Sequence, residues 1–335
     1  MKRKVVVLIA VFILVVTAQT VLFGKACDNQ SAVCKEKKCY LFSYFKGGGE
    51  SGVFLAYSYD GLNWTELNGG KAFVKGTVGR PLKRAETNAV RTMRDPCIVR
   101  GPDGTFHMVF SAKVRPRGFG YTSSKDLINW TEQKPVRVMQ NEPNAINCWA
   151  PDTFYDEVKK EYLILWSSTV PGKFPETDGQ GPGGHNHRIY YCKTKDFQTF
   201  SESKLIYNHG FNVIDATLAK AGNQYIMFLK DETNTPFVPE KNIKMAFSSK
   251  TEGPYSSESK PITGKYWCEG PSAIKIAGNW YVYFDKFLEG SYGVVTSKDL
   301  ENWEDISDKA VFPKGCRHGT VFEVPGDVLN KLLEL

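Results

Sequence analysis

Thr296-Ser-Lys-Asp-Leu-Glu-Asn-Trp303 runs from the end of a short strand through a polar turn to an aromatic residue, and the chain repeats the pattern. Earlier forms are Tyr57-Ser-Tyr-Asp-Gly-Leu-Asn-Trp64, Thr122-Ser-Ser-Lys-Asp-Leu-Ile-Asn-Trp130 and Lys193-Thr-Lys-Asp-Phe-Gln-Thr-Phe200, and a weaker one is Phe247-Ser-Ser-Lys-Thr-Glu-Gly-Pro-Tyr255. Each follows an apolar run and ends on a ring that can pack between sheets. Their spacing, roughly 40 to 70 residues, is that of the blades of a radial β architecture.

The runs between these turns support the same reading. Tyr40-Leu-Phe-Ser-Tyr-Phe45, Gly52-Val-Phe-Leu-Ala-Tyr-Ser58 and Tyr162-Leu-Ile-Leu-Trp166 are short, rich in aromatic and β-branched residues, and bounded by Gly, Asp or Asn. Only Val328 to Leu335 suggests a short helix. Counting blades from Asp95, four complete units end near Phe312. The last strand, His318 to Val324, is then left without partners, while Tyr40 to Leu67 supplies outer strands without an inner one. Pairing the two ends makes a fifth blade and removes an open edge. The expected fold is an all-β, five-bladed β-propeller closed by the N-terminal strands and the last strand. A β-sandwich would not explain the five echoes.

The N-terminus has a different character. Met1-Lys2-Arg3-Lys4 followed by the apolar run Val5 to Val16 has the layout of a secretory signal. We therefore divide the chain into a signal at 1–26 and one propeller at 27–335, and expect export to the periplasm, cell surface or medium. Apolar character resumes at Val21-Leu22-Phe23, and Gly24-Lys25-Ala26-Cys27 loosely echoes a lipoprotein site. Membrane association is expected only if the signal stays uncleaved or Cys27 is lipidated. The net charge of +7 includes Lys2, Arg3 and Lys4, and no Lys/Arg block marks a nucleic-acid footprint. The eight cysteines show no CxxC pair or zinc-type His spacing; buried thiols and disulfides both fit. Asn29, Asn63 and Asn129 open glycosylation sequons, the latter two coinciding with the turn repeat.

The blade openings carry the acids. They are Met93-Arg-Asp-Pro-Cys-Ile-Val99, Cys148-Trp-Ala-Pro-Asp152, Asn212-Val-Ile-Asp-Ala216, Trp267-Cys-Glu-Gly-Pro271 and, without an acid, Arg317-His-Gly-Thr320. Proline cannot donate to a central ladder, so it marks a strand entrance, where a neighbouring acid can face the central cavity. A single turn Asp is usually a cap; four acids at successive blade openings are a pattern.

From Tyr40 onwards these ordered motifs resemble glycoside hydrolase family 43 and its relatives, the five-bladed arabinan- and xylan-degrading enzymes. The resemblance implies Asp95 (before Pro96) as general base, Asp215 as pKa-modulating acid and Glu269 (before Gly270-Pro271) as general acid. Trp149 to Pro151 matches a second-blade signature that shapes the sugar pocket. His318 matches an axial histidine near a calcium or sodium ion in many members, and no other cofactor is implied. Ala216 departs from the family's usual Pro, and Asp152 adds an acid where members vary. We take Trp149, Asp152, Trp267, Arg94 and Arg317 as substrate-binding candidates, with Arg94 alternatively clamping a carboxylate. His185 and His187, in the Gly/Pro-rich insertion after Gly179, either rim the pocket or form an exposed surface pair.

The implied chemistry is inverting hydrolysis of a carbohydrate substrate, arabinofuranoside- or xyloside-like. One carboxylic acid protonates the leaving oxygen while a carboxylate about 6.5–9.5 Å away activates water. A third acid near Glu269 would raise its pKa by like-charge repulsion. Alternatives are a fructan hydrolase, a sialidase or phosphorylase relative, and a non-catalytic carbohydrate-binding propeller.

Overall fold

The repeated turn builds itself from local hydrogen bonds. In a computed structural model, which describes residues 38–79, 91–114, 117–234 and 241–335, Asp60 Oδ1 accepts the N–H groups of Leu62 and Asn63. The Asn63 amide donates to Asp60 Oδ2 at 2.7 Å, and Trp64 Nε1 donates to the Gly61 carbonyl at 3.1 Å. Asp126, Asn129 and Trp130 repeat this set, as do Asp299, Asn302 and Trp303. The residue after the Asp adopts a left-handed backbone each time, with φ of 75° at Gly61, 65° at Leu127, 53° at Phe197 and 67° at Leu300. Outside glycine that conformation costs about 1–2 kcal/mol, which the capped turn offsets. The Asn63 and Asn129 amides are thus engaged in turns, while the expected signal at 1–26, Asn29, Cys27 and Cys34 lie outside the described residues.

These turns link antiparallel strands into five sheets. The first blade is β4 (Arg94–Arg100), β5 (Phe106–Val114), β6 (Gly118–Ser124) and β7 (Lys134–Arg137). The second is β8 (Trp149–Asp156), β9 (Glu161–Thr169), β10 (His187–Thr194) and β11 (Lys204–Tyr207). The third has β12 (Val213–Ala221), β13 (Gln224–Asp231) and β14 (Ile243–Ser248). Its outer place is taken by an irregular segment whose Ser256, Ser259 and Ile262 N–H groups bond to the carbonyls of Phe247, Met245 and Ile243. The fourth is β15 (Glu269–Ile276), β16 (Asn279–Lys286), β17 (Ser291–Ser297) and β18 (Glu304–Asp305). The fifth combines β1 (Cys39–Lys46), β2 (Val53–Ser58) and β3 (Thr65–Glu66) with β19 (Cys316–Val324) as its inner strand, the closure expected from the sequence.

The inner strands form a closed ring in which β4 meets β8, β8 meets β12, β12 meets β15, β15 meets β19 and β19 meets β4. A sheet buried on both faces needs apolar residues on both, which explains continuous runs such as Tyr162 to Trp166. Five apolar clusters fill the gaps between neighbouring blades. Trp166 and Phe119 pack between the first two blades, and each such buried side chain contributes roughly 1.5–3 kcal/mol. The terminal helix α1 (Gly326–Leu333) follows Pro325 and seats Leu329 and Leu332 in the cluster between the fifth and first blades. Cys97, Cys148, Cys192, Cys268 and Cys316 are buried free thiols rather than bridges.

Candidate active site

Each inner strand opens with the same irregularity. Between Arg94 and Cys97 the chain spends three steps where its neighbour, Ser111 to Val109, spends two. The same one-residue bulge falls at Trp149–Asp152, Ile214–Thr217, Glu269–Ser272 and Arg317–Thr320. Aligned on it, the openings become Arg94-Asp-Pro-Cys97, Trp149-Ala-Pro-Asp152, Ile214-Asp-Ala-Thr217, Glu269-Gly-Pro-Ser272 and Arg317-His-Gly-Thr320. The second residue is left-handed at Asp95 (φ 49°), Ala150 (46°), Asp215 (54°) and Gly270 (61°). Such strain gathers where surrounding structure fixes it. Here the neighbouring blade does so: Ala150 N–H donates to Ser111 Oγ at 2.8 Å and Asp215 N–H to Ser167 Oγ at 3.1 Å.

The bulge sorts the four acids into layers. Asp95 and Asp215 hold the second position, with His318 as the equivalent residue in the fifth blade. Glu269 holds the first. Its neighbour Gly270 leaves room for the His318 ring, and Gly270 N–H donates to Asp215 Oδ2 at 3.1 Å. His318 Nδ1 lies 3.5 Å from Asp95 Oδ1 and 3.9 Å from Asp215 Oδ2. Asp95, Asp215, Glu269 and His318 line one cavity of about 750 Å³, together with Trp149, Arg94, Asn147 and Lys230.

Asp152 holds the fourth position, and the sequence-based expectation that it binds substrate does not match its place: it is not among the residues lining the cavity. It belongs to a belt of fourth-position side chains that tie blade to blade. Cys97 Sγ accepts the Thr153 N–H, Ser272 Oγ accepts the Val321 N–H, and Thr320 Oγ1 donates to the Pro96 carbonyl. Asp152 joins through Cys97, Thr217 and the Leu218 N–H; burial outweighs these bonds and pushes its carboxyl up to about 6. Trp267 is likewise absent from the lining and packs 5.9 Å from Phe287, beneath Lys241.

Glu269 is held from both sides. Arg317 Nη2 reaches its Oε1 at 2.9 Å and Lys230 Nζ its Oε2 at 3.2 Å. Burial opposes its ionisation, but Lys230, His318 and Arg317 together outweigh burial and keep the carboxyl below its ordinary range. Arg317 also bonds the buried Asp285, and Lys230 bonds Glu232 at 2.7 Å, which in turn meets Lys241 at 3.0 Å. Asp215 behaves oppositely. Burial raises it against the pull of His318 and Lys230, the charges of Glu269 and Asp95 add to the rise, and it reaches about 6. Below about pH 6 the proton of this pair therefore sits on Asp215, and Glu269 carries the negative charge.

Arg317 thus acts as a carboxylate clamp. Arg94 makes no ion pair among the described residues; its guanidinium lies 5.5 Å from the centre of the Phe45 ring. Trp149 is 41% exposed and offers a flat face to the cavity. Behind it stand His185 at 4.7 Å and the buried His187 at 5.3 Å, so the histidines brace the tryptophan rather than forming an exposed pair. Among the described residues no group of three His, Cys, Asp or Glu side chains is arranged to hold a metal.

Lys230 and Asp285 were not anticipated, because they stand on second strands, opposite the bulges. Their signal is an apolar run ending in a polar residue: Phe228-Leu-Lys230 and Tyr283-Phe-Asp285 align with Val109-Phe-Ser111 and Leu165-Trp-Ser167.

A propeller with acids converging on a central cavity is the layout of a glycosidase-type fold, and a family model described as a probable glycosyl hydrolase domain, related to glycoside hydrolase family 43, matches residues 36–327. The chain belongs to that family. An α-L-arabinofuranosidase of Bifidobacterium longum subsp. longum is 25% identical over 164 residues, covering 42% of this chain and 15% of that protein. The chain thus aligns with only a small part of that relative's length. A thermostable family-43 glycoside hydrolase structure aligns with a TM-score of 0.53 at 15% identity, covering 76% of this chain and 83% of that one. An exo-β-1,3-galactanase of Phanerochaete chrysosporium, solved with galactose, aligns at 0.50 and 12% identity, covering 70% of this chain and 53% of that one. At these identities the two structures speak for the fold.

Proposed function

We propose that this chain is an exported, inverting glycoside hydrolase that acts on arabinofuranosides or xylosides of plant-type polysaccharides. The observation that carries the reading is the convergence of Asp95, Asp215 and Glu269 in one cavity beside the exposed face of Trp149. Asp95 is the general base for the attacking water, with His318 orienting its carboxylate. Glu269 is the general acid. Asp215 and Glu269 titrate as a unit, and below about pH 6 the pair holds a proton that rests on Asp215. Productive binding requires that proton on Glu269, which a sugar oxygen achieves by taking over hydrogen bonds from Lys230 or Arg317. Trp149 stacks on a sugar ring.

The test is a screen of aryl glycosides and plant polysaccharides with the wild type, Asp95→Asn and Glu269→Gln. Loss of at least about a hundredfold in both variants is expected for positioned acid and base groups; unchanged hydrolysis would refute the assignment. Export is tested by N-terminal sequencing of protein recovered outside the cytoplasm, which should begin after residue 26. The ion pairs on both Glu269 oxygens favour a second reading, a carbohydrate-binding propeller without turnover. Saccharide binding with no hydrolysis of any substrate would select it.

A further inference from the structure

The cavity's positive charges are not all accounted for by its acids. Lys230 is matched by Glu232 and Glu269, and Arg317, beside the cavity, by Glu269 and Asp285. Three other cations, Arg94, Lys113 and Arg117, line the same cavity, and none has an ion-pair partner among the described residues. All three belong to the first blade. Arg94 pairs with Ser111 across β4 and β5, and Lys113 stands two residues further along β5, at the same cavity wall. Arg117 precedes β6, with its Nε donating to the Ala145 carbonyl at 2.6 Å and its terminal nitrogens left over.

The pseudo-fivefold repeat supplies its own comparison. The positions equivalent to Arg94 are Trp149, Ile214, Glu269 and Arg317, and those equivalent to Lys113 are Thr169, Glu232, Phe287 and Gly47. Where another blade places a cation near the cavity, a carboxylate of the same or a neighbouring blade meets it. Among the described residues the first blade alone gathers like charges that no carboxylate pairs with, which is unfavourable unless an anion arrives from outside. Neutral sugar hydroxyls do not require this. The acids Asp215, Glu232 and Glu269 lie on the third and fourth blades, and Asp95 turns to His318. An anionic ligand is therefore oriented, its acid group towards the first blade and its remaining rings over the floor.

We propose that the substrate is an acidic saccharide, carrying a uronate carboxylate or a sulfate ester that docks on Arg94, Lys113 and Arg117 next to the scissile bond. This rests on the cavity being the glycosidase site, and it specifies the substrate's charge. The experiment is titration calorimetry on Glu269→Gln with three probes: a xylo-oligosaccharide bearing one uronate, its carboxyl-reduced counterpart, and a sulfated counterpart. At least one acidic probe should bind about tenfold or more tightly than the neutral one, the sum of two or three partly exposed charge contacts. The ratio should shrink with added salt and approach one in a Lys113→Gln/Arg117→Gln background, or in Arg94→Gln if the double variant is unstable. Whichever acidic probe wins identifies the group. Equal binding of acidic and neutral probes, no binding of any, or a ratio that the cation substitutions leave intact would overturn the proposal. Turnover of neutral aryl glycosides by the wild type is measured in parallel: its absence counts against the glycosidase reading, whereas the binding ratio decides the charge of the ligand.

Discussion

Gly270→Ala tests whether the site is as tightly packed as the bulge geometry requires. Gly270 has φ of 61°, and a Cβ placed there would stand 2.2 Å from His318 Cγ, 2.4 Å from Cδ2 and 2.7 Å from Nδ1. The left-handed backbone costs an alanine about 1–2 kcal/mol, and forcing a carbon into a filled site costs about 1–3 kcal/mol more. The total is about 2–5 kcal/mol. Flanked by Glu269 and Pro271 in the inner strand, the backbone has little room to yield, so the ring must turn away from Asp95 and Asp215. Urea or thermal unfolding reads the first consequence, with a midpoint lowered by about 3–8 °C for a chain of this size. Hydrolysis by the surviving folded protein reads the second, a kcat reduced by tenfold or more as the three groups lose register. A variant within a degree of wild-type stability and with unchanged kcat would refute the close packing of Gly270 on His318 and the role given to His318.

Two other outcomes follow from the same geometry. The Asp215–Glu269 pair loses its proton as pH rises through about 6, so hydrolysis should fall above that pH; Asp215→Asn should lower kcat and move this limb to lower pH, because the repulsion favouring a protonated Glu269 is gone. Asp152 is raised to about 6 in the folded protein from an ordinary 3.8, so its ionisation destabilises the fold as pH rises through that window. Asp152→Asn should therefore stabilise the protein by up to about 3 kcal/mol at pH 7 and by nothing near pH 3, measured by urea unfolding at the two values; equal effects at both would remove the Asp from the inter-blade belt.

What the sequence made legible was what local chemistry encodes. The Asp–Asn–Trp turn is assembled from residues within a few positions of one another, so its repeats announce the blades directly. The closure of β19 onto β1 was legible because one strand was left over at one end and an inner strand was missing at the other. The layers of the blade openings were not legible. A bulge offsets side chains by one residue, and Asp95, Glu269 and Asp152 look alike as acids beside prolines until the pairing register is known. Asp152 consequently moved from the pocket to the inter-blade belt. Lys230, Asp285 and Lys113 escaped notice because they sit at the ends of second strands, where only long-range pairing brings them to Glu269 or Arg94.

Inversion requires a water activated by Asp95 on the face opposite Glu269. Proton NMR during cleavage of an aryl α-L-arabinofuranoside or β-D-xyloside by the wild-type protein would show which anomer forms first. The first-formed sugar should have the inverted configuration, with the other anomer appearing only at the rate of mutarotation. A product that first appears with the configuration of the substrate would contradict inversion.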